Sequence, residues 1–211
     1  MKYFLYISTL KVIMLFDQIP AQIKKRIAAE LKIDLGVFST TIKTLPDSET
    51  TISKLQLVLK HLEREGEIGD VWTPKAYFKG TMNMNWGTII FARKEEPSVK
   101  DMVRFGGIID KIRVCLVGSN AHMLGEAGKP VHADYSRPSF IRSIANDVRD
   151  ASVDEFEADY AARDLLANID RGVDDTQSVE FVAKTYLVED EKYGAIRLGS
   201  PLFVASAKTD M

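Results

Sequence analysis

The sequence predicts a mixed α/β (α+β) fold in a single domain over 1–211. It comprises a β-α-β-α unit at 1–66, antiparallel strands at 75–117, a helical part at 138–190 and terminal strands at 193–206. Three observations carry this expectation. Apolar residues recur at helical period in the first third of the chain. Short apolar runs with tight separators replace them in the middle, and the helical period returns beyond residue 138. With 45% hydrophobic and 27% charged residues in a chain of 211, a core of ordinary size is available.

Residues 3–8 (YFLYIS) are aromatic and β-branched, which marks a short buried strand. A short helix begins at Thr9 and runs to Phe16, stopping before Pro20. From Pro20, Ile23, Ile27 and Leu31 share one helical face, with Lys24, Lys25, Arg26 and Glu30 elsewhere and proline in the first turn. Residues 35–43 (LGVFSTTIK) read as a strand. Asp47 or Ser48 caps a helix whose stripe is Ile52, Leu55, Leu59 and Leu62, ended by Gly66. Four strands follow at 75–83, 87–94, 101–108 and 111–117. Asn85-Trp86-Gly87 and Ile109-Asp110 separate them too closely for crossover helices, so antiparallel pairing is expected. Trp72 and Trp86 read as packing anchors. Residues 125–138 form a loop, and a helix covers about 138–148. The capping box Ser152-Val153-Asp154-Glu155 opens a helix to Arg171. Thr176 or Ser178 caps another through Leu187, and two short strands flank Gly199-Ser200-Pro201.

The formal charge of −2 supplies no field for polyanions, so no long DNA or RNA partner is expected, while a small anion in a local pocket stays open. The single cysteine, Cys115, cannot build a disulfide framework or a cysteine zinc site within one chain. It sits in an apolar run, reads as a buried small hydrophobe, and points to the cytoplasm. Ser8, Thr9 and Lys11 interrupt the apolar start and no small-residue cleavage site follows, so a core strand and helix start is expected there rather than a signal peptide. No run reaches the ~18 apolar residues of a membrane span, and no membrane partner is expected.

Five stretches could carry chemistry, the last of them Leu198-Gly199-Ser200-Pro201-Leu202, which reads as a turn between strands or as a binding corner. The run Val114-Cys115-Leu116-Val117 stops at Gly118-Ser119-Asn120. A strand end turning toward a helix offers backbone N–H groups to an anion, Ser119 adds a hydroxyl, and His122 can move a proton near neutral pH. The alternative is that Ser119 or Asn120 caps a short helix and His122 is an ordinary imidazole. Neither G-x-x-x-x-G-K-[ST] nor G-x-S-x-G occurs. Ser8, Thr9 and Lys11 place two hydroxyls and an ammonium after the first strand, where α/β ligands gather; the alternative is helix capping and a solvated lysine. Tyr77, Lys79 and Thr81 share one strand face, suited either to stacking a base and holding a phosphate or to ordinary solvation. Lys129 and His132 lie in the loop with Glu126 and Asp134, and Arg137 and Arg142 add positive charge. No metal-ligand spacing occurs there, so no metal or cofactor is expected.

The segments "AYFKGTMNMNWG", "RFGG", "LVGSNAHMLG", "EFVAKTYL" and "RLGSPLFVA" resemble a bacterial family, mostly actinobacterial, in which LYIS…K, GGS–H–G and GTPLYVA-like motifs recur. That resemblance implies one architecture over nearly the whole chain and brings no activity with it. Strand-end hydroxyls with a lysine are also similar to the CRISPR-associated Rossmann-like sensors of cyclic oligoadenylates and to ring nucleases. This likeness implies phosphate binding by Ser8, Thr9 and Lys11, with the Gly118-Ser119 corner opposite; the antiparallel middle departs from it.

The function expected is binding, and metal-independent cleavage, of a cyclic oligonucleotide. In that chemistry a ribose 2′-OH attacks the neighbouring phosphate. His122 would carry the proton, with His132 and Tyr77 next in line. Lys11, Lys79 or Lys129 would stabilise the phosphorane, and Ser8, Ser119 and the Gly118–Asn120 backbone would orient the phosphate. A homodimer suits a ligand with rotational symmetry. A non-catalytic sensor, and a protein-interaction module presenting its helices to a partner, are the alternatives.

Overall fold

The computed structural model describes residues 2–33, 48–91, 102–125, 131–133, 176–189 and 195–207. The chain is mixed α/β, with three N-terminal helices and a closed five-stranded mixed β-barrel carrying extra strands. It divides into two compact units, one of Met1–Ser8 with Gly69–Met211 and one of Thr9–Ile68.

The helical unit holds α1 (Thr9–Gln18), α2 (Ala21–Leu31) and α3 (Ser48–Arg64), with α1 and α2 both packed on α3. Of the apolar stripes expected from sequence, Ile27, Leu55 and Leu62 are buried while Ile23, Leu31, Ile52 and Leu59 are half-buried; Val12, Phe16, Ala28, Leu57 and Val58 complete the buried faces. Lys24 and Lys54 bring ammonium groups to 4.3 and 5.3 Å from the Phe16 ring centroid, burying their aliphatic stems. Glu30 on α2 pairs with Lys60 at 3.2 Å and with Arg64 on α3. Gly66 ends α3 at φ 70°: its N–H donates to Glu63 O and the Glu67 N–H to Leu62 O, a Schellman closure. The strand expected at 35–43 lies outside the described residues, as do the loop at 134–138 and the helices expected at 138–171.

In the other unit β1 is Phe4–Ile7, β2 Ile68–Asp70, β3 Tyr77–Phe91, β4 Met102–Ile109, β5 Ile112–Ser119, β6 Val131–Ala133, β7 Gln177–Glu189 and β8 Ile196–Ser206. Antiparallel pairs join β3 to β4, β4 to β5, β8 to β7 and β7 back to β3; β5 and β8 are parallel, and the ring closes. β1 adds to β8, and β6 runs parallel to the end of β3. Phe78, Met82 and Met84 of β3, Val103 and Phe105 of β4, Val114 and Leu116 of β5, Val179, Phe181 and Ala183 of β7 and Val204 of β8 belong to one buried core, together with Tyr6 of β1. The period of two along each strand puts them inside.

Three expectations need correction. Tyr77–Phe91 is one strand, not two around an Asn85-Trp86-Gly87 turn. β3 runs straight through, pairing with β7 over Tyr77–Met84 and with β4 from Asn85 on, so the polar interruption marks a change of partner. Trp86 there packs on Phe105 with centroids 6.2 Å apart, as an anchor should, whereas Trp72 is half exposed. Residues 176–187 are strand, not helix: Val179, Phe181 and Ala183 alternate into the core, and both edges of β7 are paired. Finally, the tail is one strand rather than a hairpin. Its Ser200-Pro201 sits at a register shift of the β7–β8 ladder, where a missing proline N–H is tolerated.

Candidate functional site

The hairpin β4–β5 turns at Asp110 and Lys111, both at positive φ, and delivers Gly118 and Ser119 to the rim of the barrel. Val114 and Leu116 face inward, so Gly118 does too. A Cβ on Gly118 would lie 2.4 Å from Tyr6 Oη, so the Tyr6 ring occupies the space a side chain would need. Tyr6 is fully buried, edge-on to Phe105 with centroids 5.8 Å apart and edge-on to His122 at 6.0 Å. The Ser119 hydroxyl accepts a hydrogen bond of 3.3 Å from the Ala121 N–H and caps a 3-10 turn over Asn120–His122. The chain then runs back beside β1, where Leu124 N–H donates to Leu5 O and Tyr6 forms a bridge with Met123. On the other side of β1, Ser8 N–H donates to Leu202 O, which fixes Ser8 at 2% exposure.

Tyr6 and Ser8 therefore meet Gly118, Ser119, Asn120 and His122 at one rim, through the pairing of β1 with the segment after β5. The Tyr6 hydroxyl and Asn120 Oδ1 are buried there without a hydrogen-bond partner. Ser8 and the Ser119 N–H lie close to the phenol, yet neither meets hydrogen-bond geometry. Burial pushes the Tyr6 phenol up to about 12, against their smaller opposing effect, so it is a neutral donor at physiological pH.

The other sequence candidates belong to other elements. Thr9 and Lys11 belong to α1 in the helical unit, where Lys11 is buried at 6% exposure. Tyr77 and Lys79 stand with Thr81 on the outer face of β3 beside β7. Gly118 pairs through Val103 to Thr88, nine residues along β3 from Lys79, which is roughly 30 Å of strand. Tyr77 and Lys79 thus do not share the Gly118 corner. His132 is on β6 opposite Ile90. Lys129, Glu126, Asp134, Arg137 and Arg142 lie outside the described residues. Among the described residues no group of His, Cys, Asp and Glu could hold a metal, and no helix is long and apolar enough to cross a membrane.

Sequence reasoning missed two buried arginines. Arg197 of β8 donates to Val71 O at 2.8 Å, to Ile196 O at 3.0 Å and to Trp72 O at 3.4 Å. Arg104 of β4 donates from Nη2 to Asn85 Oδ1 at 2.8 Å, while its Nε and Nη1 have no acceptor. The available signal was position: Arg104 and Arg197 interrupt apolar strands that are paired on both edges.

Comparison with curated proteins and with solved structures finds no match. Over residues 2–208, however, the chain matches the family of unknown function DUF7019 and belongs to that family.

Proposed function

We propose that the protein binds a phosphate-bearing nucleotide of the cyclic oligonucleotide class at the barrel rim built by Tyr6, Ser8, Ser119, Asn120 and His122. The observation that carries this reading is the pair of unsatisfied buried atoms: Tyr6 Oη, a neutral donor, and Asn120 Oδ1, an acceptor. A buried polar atom left unpaired costs about 1–3 kcal/mol, and a ligand that supplies both partners recovers it. A nucleotide does so, with phosphate oxygens for the phenol and an exocyclic amine for the amide oxygen. His122, half-buried against Tyr6, is the residue at this rim able to exchange a proton with a ribose hydroxyl.

Barrel topology supports the ligand class. Taken along the chain, β3, β4, β5, β7 and β8 close in the order first, second, third, fifth, fourth, with the third and fifth parallel. That is the order of the oligonucleotide- and oligosaccharide-binding barrels, which use the face of their second and third strands. Here Met102, Arg104, Cys115 and Val117 on that face are buried, which favours the rim for a ligand of this size. Fold alone would not assign the function.

The test is incubation with cyclic oligoadenylates of several ring sizes and with cyclic dinucleotides, in the presence of EDTA. Binding, with linear products ending in 2′,3′-cyclic phosphate, is the expected result. His122→Ala should slow cleavage by about 10²–10⁴-fold, the usual range for loss of a general acid or base. Binding without cleavage assigns a sensor; no binding across the panel overturns the proposal.

A further inference from the structure

We propose that Arg104 anchors a second, buried site that takes a monoanionic oxyanion group, a carboxylate or a phosphodiester, on the outer face of β4 and β5. The proposal is independent of the rim reading. Val103 and Phe105 face the barrel core, so Arg104 between them faces outward, yet it is only 2% exposed. A guanidinium carries five N–H groups and does not lose its charge in proteins. One reaches Asn85 Oδ1, while Nε and Nη1, with three N–H between them, reach nothing.

Within the described residues the charge has no compensation. No carboxylate pairs with Arg104, and burial alone pulls its pKa below the usual arginine value. Among the described residues the titratable neighbour that acts on it is Cys115, whose thiol burial pushes up to about 11, so it stays neutral near pH 7. Arg197 makes the contrast: equally buried, it donates to the carbonyls of Val71, Ile196 and Trp72. A chain that satisfies one buried guanidinium with three carbonyls and leaves another with one amide oxygen has kept donors for something else.

The surroundings define what that is. Across the ladders Arg104 faces Gly87 on β3 and Val117 on β5, with Gly106 two residues along on its own strand. The two glycines bring no side chain to this face. Met102, Val117 and the neutral Cys115 make it apolar. One guanidinium in an apolar setting balances one negative charge; a second would be buried uncompensated. The fork of N–H groups matches paired oxygens, in a carboxylate or in the two free oxygens of a phosphodiester.

The experiment is thermal unfolding of the full chain in increasing sodium acetate and, separately, sodium dimethyl phosphate, with ionic strength held constant by sodium sulfate. Sulfate strengthens burial in general, so its replacement should lower the midpoint unless the monoanion binds. For the wild type the midpoint should rise with the logarithm of one of the two monoanions, by roughly 5–10 °C at 100 times its Kd. The arm that responds identifies the group. Arg104→Met should show no such rise, and without monoanion should unfold at or above the wild-type temperature, because an apolar side chain replaces an unpaired charge. A wild-type midpoint that falls or fails to rise in both monoanion series overturns the proposal even if Arg104→Met fails to fold. An equal rise in Arg104→Met overturns it as well.

Discussion

Gly118 lacks a side chain because Tyr6 stands where one would be. Its Cβ would sit 2.4 Å from the phenol oxygen and 2.6 Å from the ring carbon that bears it, and both belong to a ring clamped between Phe105 and His122. The ring cannot swing aside without opening the core. Gly118→Ala should therefore destabilise the fold by about 1–3 kcal/mol, the range for overpacking a well-filled site. Equilibrium denaturation in urea measures it, and the double variant Gly118→Ala/Tyr6→Phe, which removes the nearest atom, should recover part of the loss. A Gly118→Ala protein as stable as wild type would mean that the ring yields freely. The sequence drew attention to this corner through its glycine, serine and histidine, and Ser119 does cap a turn. What it could not reveal is Tyr6, over a hundred positions away along the chain, whose burial gives the corner its chemistry.

At the scale of elements, legibility followed the range of the interactions that decide each one. The three helices announce themselves through apolar period and end signals, which act within a few residues: Gly66 stops α3, and Ile27, Leu55 and Leu62 of the marked stripes are buried. The hairpin β4–β5 is equally local. β3, β7 and β8 were misread because their character comes from partners far away. Asn85 looks like a turn and is a hand-over from β7 to β4, and Val179–Leu187 looks helical until β3 and β8 pair with both its edges. Even the local hairpin carries a cost. Asp110 and Lys111 adopt φ 47° and 68°, the left-handed pair of a two-residue β turn that favours Asn-Gly. Lys111→Gly should stabilise the protein by about 1 kcal/mol, since it removes the left-handed penalty of a side-chain-bearing residue. A higher urea midpoint with an unchanged slope is the expected reading, and a lower midpoint would show that the Lys111 side chain contributes more than the strain removes.

Across the whole molecule the buried ionisable groups of the barrel set how stability responds to alkali. Burial pushes the Cys115 thiol from 9.0 up to about 11 and the Tyr6 phenol from 10.0 up to about 12. Both are neutral when protonated, and both have folded-state pKa values above their unfolded ones. Between pH 9 and 11 the unfolded chain releases the Cys115 proton while the folded protein retains it; between 10 and 12 the same holds for Tyr6. The unfolded state then binds fewer protons, so stability falls as pH rises, by up to about 1.4 kcal/mol per pH unit for each group. Below pH 8 neither group contributes a slope. Cys115→Ala should flatten the first part of the decline and Tyr6→Phe the second, and the double variant should remove both. Urea unfolding followed at half-unit intervals from pH 8 to 11.5, with the variants beside the wild type, separates the two contributions. A decline that persists unchanged in the double variant would mean that the thiol and the phenol ionise inside the folded barrel as easily as outside it.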